Sequence, residues 1–304
     1  MKNIELEKLI GVNKIKYDEP MSKHTTMKVG GPCDILVLPE SIEDIQKTVE
    51  YSIKNNINWL VLGNGSNTLV CDEGIRGIVI RLGNNFSKVK VENNTIIAQS
   101  GASIPLVSQI AKKNALAGLE FACGIPGTVG GCTRMDAGAY GGQMSDIVES
   151  VKCMDTNTMK IVEFKNSELD FGYRHSMFSD KKNYIILEVI YKLNYGDIEQ
   201  IDQKMKVNNL ARHTKQPLEY PSVGSIFKRP KGYFVGKLVS DAGLRGISIG
   251  GAQVSEKHTG FIINKGNATF KDIMDLIKLV QDTVYKKFGV RLEVEPEIIG
   301  GKNV

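Results

Sequence analysis

The clearest pattern of apolar and polar positions lies between residues 35 and 82. DILVLP predicts a short strand, and SIEDIQKTVEYSIKNN after it carries Ile42, Ile45 and Val49 at helical spacing. Ser41 stands at that helix's N-cap position with Asp44 as a near-capping-box partner. NWLVLG and GIVIRL are apolar, β-branched and bounded by glycine, so both predict buried strands and complete a small βαββ unit. A long amphipathic helix is written in TFKDIMDLIKLVQDTVYKKFG, with Ile273, Ile277, Val280 and Val284 inward, Thr269 as cap and Gly289 as stop.

From 86 to 195 the period shortens. KVKVENNTIIAQS and SVKCMDTNTMKIVEF predict hairpins turning at Asn93–Asn94 and at TNT. One short helix, SIPLVSQIAKKNAL, lies between them, and NYIILEVIYKL predicts a strong strand. Beyond 200 come a polar helix, IDQKMKVNNLARHT, loops rich in glycine and proline, and a last strand in VRLEVEPEIIG. Alternation puts Glu293, Glu295 and Glu297 on one face of that strand. The texture changes near 85 and 197 divide the chain into 1–85, 86–197 and 198–304.

A length of 304 residues exceeds most single cores. At 41% hydrophobic and 24% charged the chain reads as a soluble folded protein. The net charge of +5 is spread rather than gathered into a stripe, which suits a small anionic ligand better than nucleic acid. Five cysteines without CxxC and four scattered histidines predict reduced thiols, a cytoplasmic location and no structural metal. The N-terminal residues lack a secretory pattern, and no apolar run approaches the length of a membrane span.

Chemistry enters through glycine. LGNGSNTLV (62 to 70) supplies Gly63, Asn64, Gly65, Ser66 and Asn67, but Thr68 replaces the third glycine of a GxGxxG and no helix is expected next, so a Rossmann reading fails. Such a turn is either an ordinary strand end or a nest whose backbone N–H groups cradle phosphate. FACGIPGTVGGCTRMDAGAYGG (121 to 142) packs two more glycine clusters into one stretch. Together the clusters suggest a long anion the size of a dinucleotide. Arg174, in FGYRHSMF, either lays its stem on apolar surface or waits for a carboxylate. Ser225, in PSVGSIFKRP, is a turn former or a site residue, and no GxSxG elbow supports a hydrolase.

TTMKVGGP, LGNGSNTLV, GIPGTVGG, DAGAYGG, YRHSMF, GSIFKRP and LEVEPEIIG, in this order, resemble the UDP-N-acetylenolpyruvoylglucosamine reductase (MurB) family over residues 20 to 300. The compact length and GGAQVSEKHTGFIIN resemble its shorter, type II subgroup. The resemblance implies an α+β protein with a two-subdomain FAD-binding region of the vanillyl-alcohol-oxidase (PCMH) type, followed by a smaller α+β substrate-binding domain. On that reading 1–85 and 86–197 are the FAD subdomains and 198–304 binds substrate. It also implies an oxidoreductase with FAD as cofactor and NADPH as reductant. Its substrate would be UDP-N-acetyl-3-O-(1-carboxyvinyl)-glucosamine, reduced to UDP-N-acetylmuramate for peptidoglycan.

By the motif match, Gly63 to Asn67, Gly124, Ile125, Pro126, Gly127, Thr128, Gly130, Gly131, Asp136, Ala137 and Gly138 would line FAD. Arg174, Ser225 and Glu295 fall on the family's catalytic positions. Reduction builds charge on the carbon next to the substrate carboxylate. There Arg174 would supply fixed positive charge, Ser225 a proton, and a protonated Glu295 a hydrogen bond. Lys215, Lys228 and Lys237 are candidates for the diphosphate and Tyr140 for the sugar. Asp136 replaces the family's usual asparagine, and Glu297 stands where a basic residue often follows the catalytic glutamate. The runner-up reading is another FAD-dependent alcohol or sugar oxidase of the same fold.

Overall fold

The computed structural model describes residues 3–301. Helix α1 (Ile4–Ile10) starts where the Asn3 side chain accepts from the Leu6 N–H. Helix α2 (Ile42–Lys54) opens on the complete capping box of Ser41 and Asp44 and buries Ile45, Thr48 and Val49. A four-stranded sheet orders its strands Ile15–Pro20, Pro32–Val37, Ile75–Arg81 and Trp59–Leu62. After the glycine turn at 63 to 67 the chain re-enters a strand, Thr68–Val70, and forms no helix.

The two predicted hairpins form. Val89–Glu92 pairs with Thr95–Gln99, and Val148–Asp155 with Lys160–Lys165. With Tyr184–Lys192 between them they make a five-stranded antiparallel sheet. Helix α3 (Ile104–Lys113) and the six-residue helix α4 (Val129–Arg134) contribute Val107, Val129 and Cys132 to the same core as Ile96, Val151 and Val189. A single turn, α5 (Met177–Asp180), follows, and α6 (Ile198–Lys215) buries only Ile201, Met205 and Asn208.

The C-terminal part holds α7 (Val235–Asp241), α8 (Phe270–Phe288) and an antiparallel sheet ordered Ser222–Ser225, Phe261–Asn264, Ala252–Val254 and Ser248–Ile249. The predicted inward stripe of α8 is buried, Thr269 and Asp272 form its capping box, and Gly289 ends it in the left-handed region. The Asp72 carboxylate accepts from the next two free donors, the N–H groups of Phe270 (2.9 Å) and Lys271 (3.2 Å).

Two expectations change. The glycine-dense stretch contains α4, so Gly130 and Gly131 are helical. The last strand is only Glu297–Ile299, parallel to Thr68–Val70. Pro296 has no N–H to give a ladder, and upstream of it only an isolated bridge from Val294 to Phe227 remains.

The chain packs as two compact units interleaved in sequence. The first gathers residues up to Lys16, Leu36–Asn64 and Val79–Arg212; the second gathers Tyr17–Ile35, Gly65–Ile78 and residues from His213 onward. No helix among the described residues is long and apolar enough to cross a membrane.

Candidate functional site

In the first unit, two glycine loops predicted separately lie against each other. The Asn64 side-chain amide donates to the Pro126 carbonyl at 2.7 Å. A Cβ on Gly63 would stand 2.5 Å from Thr128 Oγ1, so the close approach itself requires glycine there. Thr128 is also the N-cap of α4, accepting from the Gly131 N–H at 3.3 Å. The Gly130 N–H donates to the Ser100 carbonyl, and the Ser100 hydroxyl is buried without a hydrogen-bond partner. The cradle is thus narrow, lined by backbone, and keeps one unsatisfied hydroxyl beside it.

Asp136, Tyr140 and Arg174 all sit in the left-handed region, with φ of 43°, 51° and 57°. Non-glycine residues held there gather at functional sites. Asp136 is 3% exposed and accepts from both the N–H (2.8 Å) and the hydroxyl (3.1 Å) of Ser145. Burial pushes its carboxyl above the ordinary range, outweighing the Ser145 bonds and the Arg174 charge. Arg174 occupies a tight turn closed by reciprocal bonds between Gly172 and His175. Its guanidinium lies 5.0 Å from the Tyr173 ring centre and donates to the Gly138 carbonyl at 3.5 Å. A cleft of about 470 Å³ beside this turn is lined by Asp136, Ser145, Asn166, Asp170, Phe171 and Tyr173, among others. Ala137 is buried next to Asp136, and Gly138 opens the short hairpin whose turn carries Tyr140.

Arg212, in the last turn of α6, went unnoticed in the sequence. Its Cδ would lie 2.9 Å from a Cβ on Gly124. The polar pattern of α6 gave no signal to distinguish it from a solvated arginine.

In the second unit the backbone brings Ser225 and Glu295 together. Gly224, at φ 82°, takes up an irregularity in the strand Ser222–Ser225. The Glu295 N–H donates to the Ile226 carbonyl at 3.1 Å, and the Ser225 hydroxyl donates to the Phe227 carbonyl at 3.0 Å. Asn67 holds the 295–297 segment: its amide donates to the Glu295 carbonyl (3.4 Å) and its own carbonyl accepts from the Glu297 N–H (2.9 Å). Gly65 accepts from the Thr26 N–H at 3.1 Å, which ties the TTMKVGGP segment to the same turn. Among the candidate lysines, Lys228 pairs with Glu293 and Lys237 with Asp241, while Lys215 is exposed at the end of α6. No cluster suited to a metal ion occurs among the described residues.

Residues 33–165 match the FAD binding domain family, and residues 216–299 match the family described as UDP-N-acetylenolpyruvoylglucosamine reductase, C-terminal domain. The UDP-N-acetylenolpyruvoylglucosamine reductase of Clostridium tetani is 50% identical over 96% of this chain and 94% of its own length. This chain belongs to the UDP-N-acetylenolpyruvoylglucosamine reductase family. A reductase of that name from Clostridium botulinum is 49% identical over 99% of this chain and 97% of its own. The crystal structure of the Thermus caldophilus reductase (MurB) aligns with a TM-score of 0.81 at 35% identity, covering 93% of this chain and 98% of that one.

Membership makes the protein an FAD-dependent oxidoreductase of α+β fold. The glycine cradle suits that cofactor. Glycine and small side chains line it, a Cβ at Gly63 would collide with Thr128 Oγ1, and the buried Ser100 hydroxyl is left with a hydrogen bond to make. The family's shorter subgroup is the one this chain's length matches.

Proposed function

We propose that this enzyme uses NADPH to reduce UDP-N-acetyl-3-O-(1-carboxyvinyl)-glucosamine to UDP-N-acetylmuramate, in the cytoplasm, for peptidoglycan synthesis. The observation that carries the reading is the pairing of residues 225–228 with 293–295, which sets the Ser225 segment beside Glu295, whose carbonyl accepts in turn from Asn67 of the glycine turn. FAD, held by Gly63, Asn64 and the 124–131 loop, would supply two-electron chemistry between NADPH and the alkene.

The protein's own residues then divide the work. Arg174 holds the substrate carboxylate with fixed positive charge as electron density accumulates on the adjacent carbon. Its left-handed backbone and its stacking on Tyr173 limit how far the guanidinium can wander. Ser225 delivers the proton to that carbon. Its hydroxyl now donates to a neutral carbonyl, so turning it toward substrate costs about one ordinary hydrogen bond, roughly 1 kcal/mol. Glu295, fixed through its main chain on both sides, supports the same charge from the opposite strand.

On this reading 1–85 and 86–197 serve FAD and 198–304 the substrate. In support, the five-stranded sheet lies wholly within 86–197 and the Ser222–Ser225 sheet wholly within 198–304.

The test is anaerobic. The yellow protein should bleach with NADPH and recover its colour with the UDP-linked enolpyruvyl sugar. Ser225→Ala should still bleach but recover about a thousandfold more slowly, as expected for loss of a positioned acid. Recovery at the normal rate removes Ser225 from the reaction; recovery with air but not with the sugar makes the enzyme an oxidase.

A further inference from the structure

Thr26 directs its two donors to two distant stretches of chain. Its N–H donates to the Gly65 carbonyl at 3.1 Å, and its hydroxyl donates to the Ser222 carbonyl at 2.6 Å. A Cβ on Gly65 would collide with the His24 carbonyl and stand 2.9 Å from Thr25 Cα, so the segment around Thr26 lies hard against the glycine turn. The residue before it has no such reach. The buried Thr25 hydroxyl donates to the Val29 carbonyl at 2.9 Å, inside its own loop.

What hangs from Ser222 is the placement of Ser225. The strand's partners step from Ile263 at Ser222 to Phe261 at Ser225, so a step of three residues on one strand matches a step of two on the other. A regular ladder does not fix the register of such a stretch; its ends do. At the far end the Ile226 N–H donates to the Gly260 carbonyl at 3.0 Å, and the Ile226 carbonyl accepts from the Glu295 N–H at 3.1 Å. At the near end Thr26 holds Ser222. The turn at 65 to 67 is thereby bonded to both strands, through Asn67 to the Glu295 segment and through Thr26 to the strand that ends in Ser225.

We propose that Thr26 is a positioning residue for proton delivery, setting the separation between the cofactor-holding glycine turn and the Ser225 hydroxyl. The inference rests on the functional reading above. Addition to the alkene joins a hydride from the reduced cofactor to one carbon; the π pair takes the Ser225 proton at the next, and the serine regains a proton from water. Hydride and proton donors must therefore meet adjacent atoms of one substrate, and an error of about 1 Å in their separation costs up to about a hundredfold in rate. Thr26 is half-buried and lies outside the cluster that packs Met27 and Val29, so its hydroxyl can be removed without opening a cavity in that core.

The experiment uses the flavin-loaded enzyme without oxygen. Thr26→Val keeps the side chain's shape and removes the hydroxyl. It should bleach with NADPH at the normal rate, and its oxidised form should bind the UDP-linked enolpyruvyl sugar with unchanged affinity by calorimetry. Its colour should return about tenfold or more slowly with that sugar. The return should also become more sensitive to heavy water, because the misplaced proton now limits it. Amide hydrogen exchange should rise at residues 222–226. Thr26→Ser should restore all of these. Thr25→Val, which loses a hydroxyl bond within the loop, should lower the melting temperature and leave the return of colour and its heavy-water response unchanged. If Thr26→Val does not fold, Thr26→Ala carries the same expectations. Colour returning at the normal rate in the Thr26 variant overturns the proposal. An equal slowing by Thr25→Val overturns it as well, since general order in the loop would then be the cause. So does loss of flavin from Thr26→Val, by limiting the residue to upkeep of the turn. Failure of the unaltered enzyme to recover its colour with the sugar would instead sink the functional reading beneath the proposal.

Discussion

Asp136 stands where the family resemblance leads one to expect an asparagine, and its surroundings say what such an exchange would do. Both carboxylate oxygens accept from Ser145 within a site that is almost closed to water. An asparagine would accept from the Ser145 N–H through its oxygen and donate to the hydroxyl through its amide. It would carry no charge to desolvate. Because the folded carboxyl titrates above the unfolded one, ionisation opposes folding in full above the folded pKa, and the penalty shrinks as pH falls through that value and is gone below the unfolded one. Asp136→Asn should therefore raise stability by about 1 kcal/mol near pH 7, with the difference shrinking in mild acid. Denaturant melts across that pH range check it, and a difference that does not depend on pH would refute the linkage. At this scale the motifs named Asn67, Ser225 and Glu295 in advance, and the structure bonds Asn67 to Glu295 and Glu295 to Ile226, the neighbour of Ser225. Arg212 escaped notice because an arginine near a helix C-terminus looks solvated in sequence. Only its packing on Gly124 distinguishes it.

Among the elements, α2 and α8 were legible because amphipathic spacing and capping residues agree with each other. The hairpins were legible for the same reason, with turn residues falling between alternating runs. Helix α4 was not, since glycines at two of its six positions erase both propensity and periodicity. Its form depends on the Thr128 cap and on the neighbouring Ser100 carbonyl. The last strand was overdrawn because alternation of glutamates resembles pairing even where a proline removes a donor. Nor could sequence show that Asp72, far along the chain, receives the first free N–H groups of α8. Asp72→Ala should cost about 1 kcal/mol, as cap losses do, read as a lower denaturation midpoint with an unchanged slope. A neutral result would mean that water replaces the carboxylate at no cost.

Considered whole, the molecule packs as two compact units, each drawing on separate stretches of chain. The core under α8 includes Met27, Val29 and Leu69, and the final strand pairs with Thr68–Val70. A fragment of 198–304 should therefore show no cooperative thermal transition by circular dichroism. A sharp two-state melt would mean that the early segments are dispensable. Asn67 and Glu295, 228 residues apart, are joined by a hydrogen bond. When a ribosome has released Asn67, the tail that will meet it does not yet exist. The second unit can close only after synthesis is nearly finished, so its early strands spend that interval unsheltered, and cellular holding factors have a long window in which to reach them.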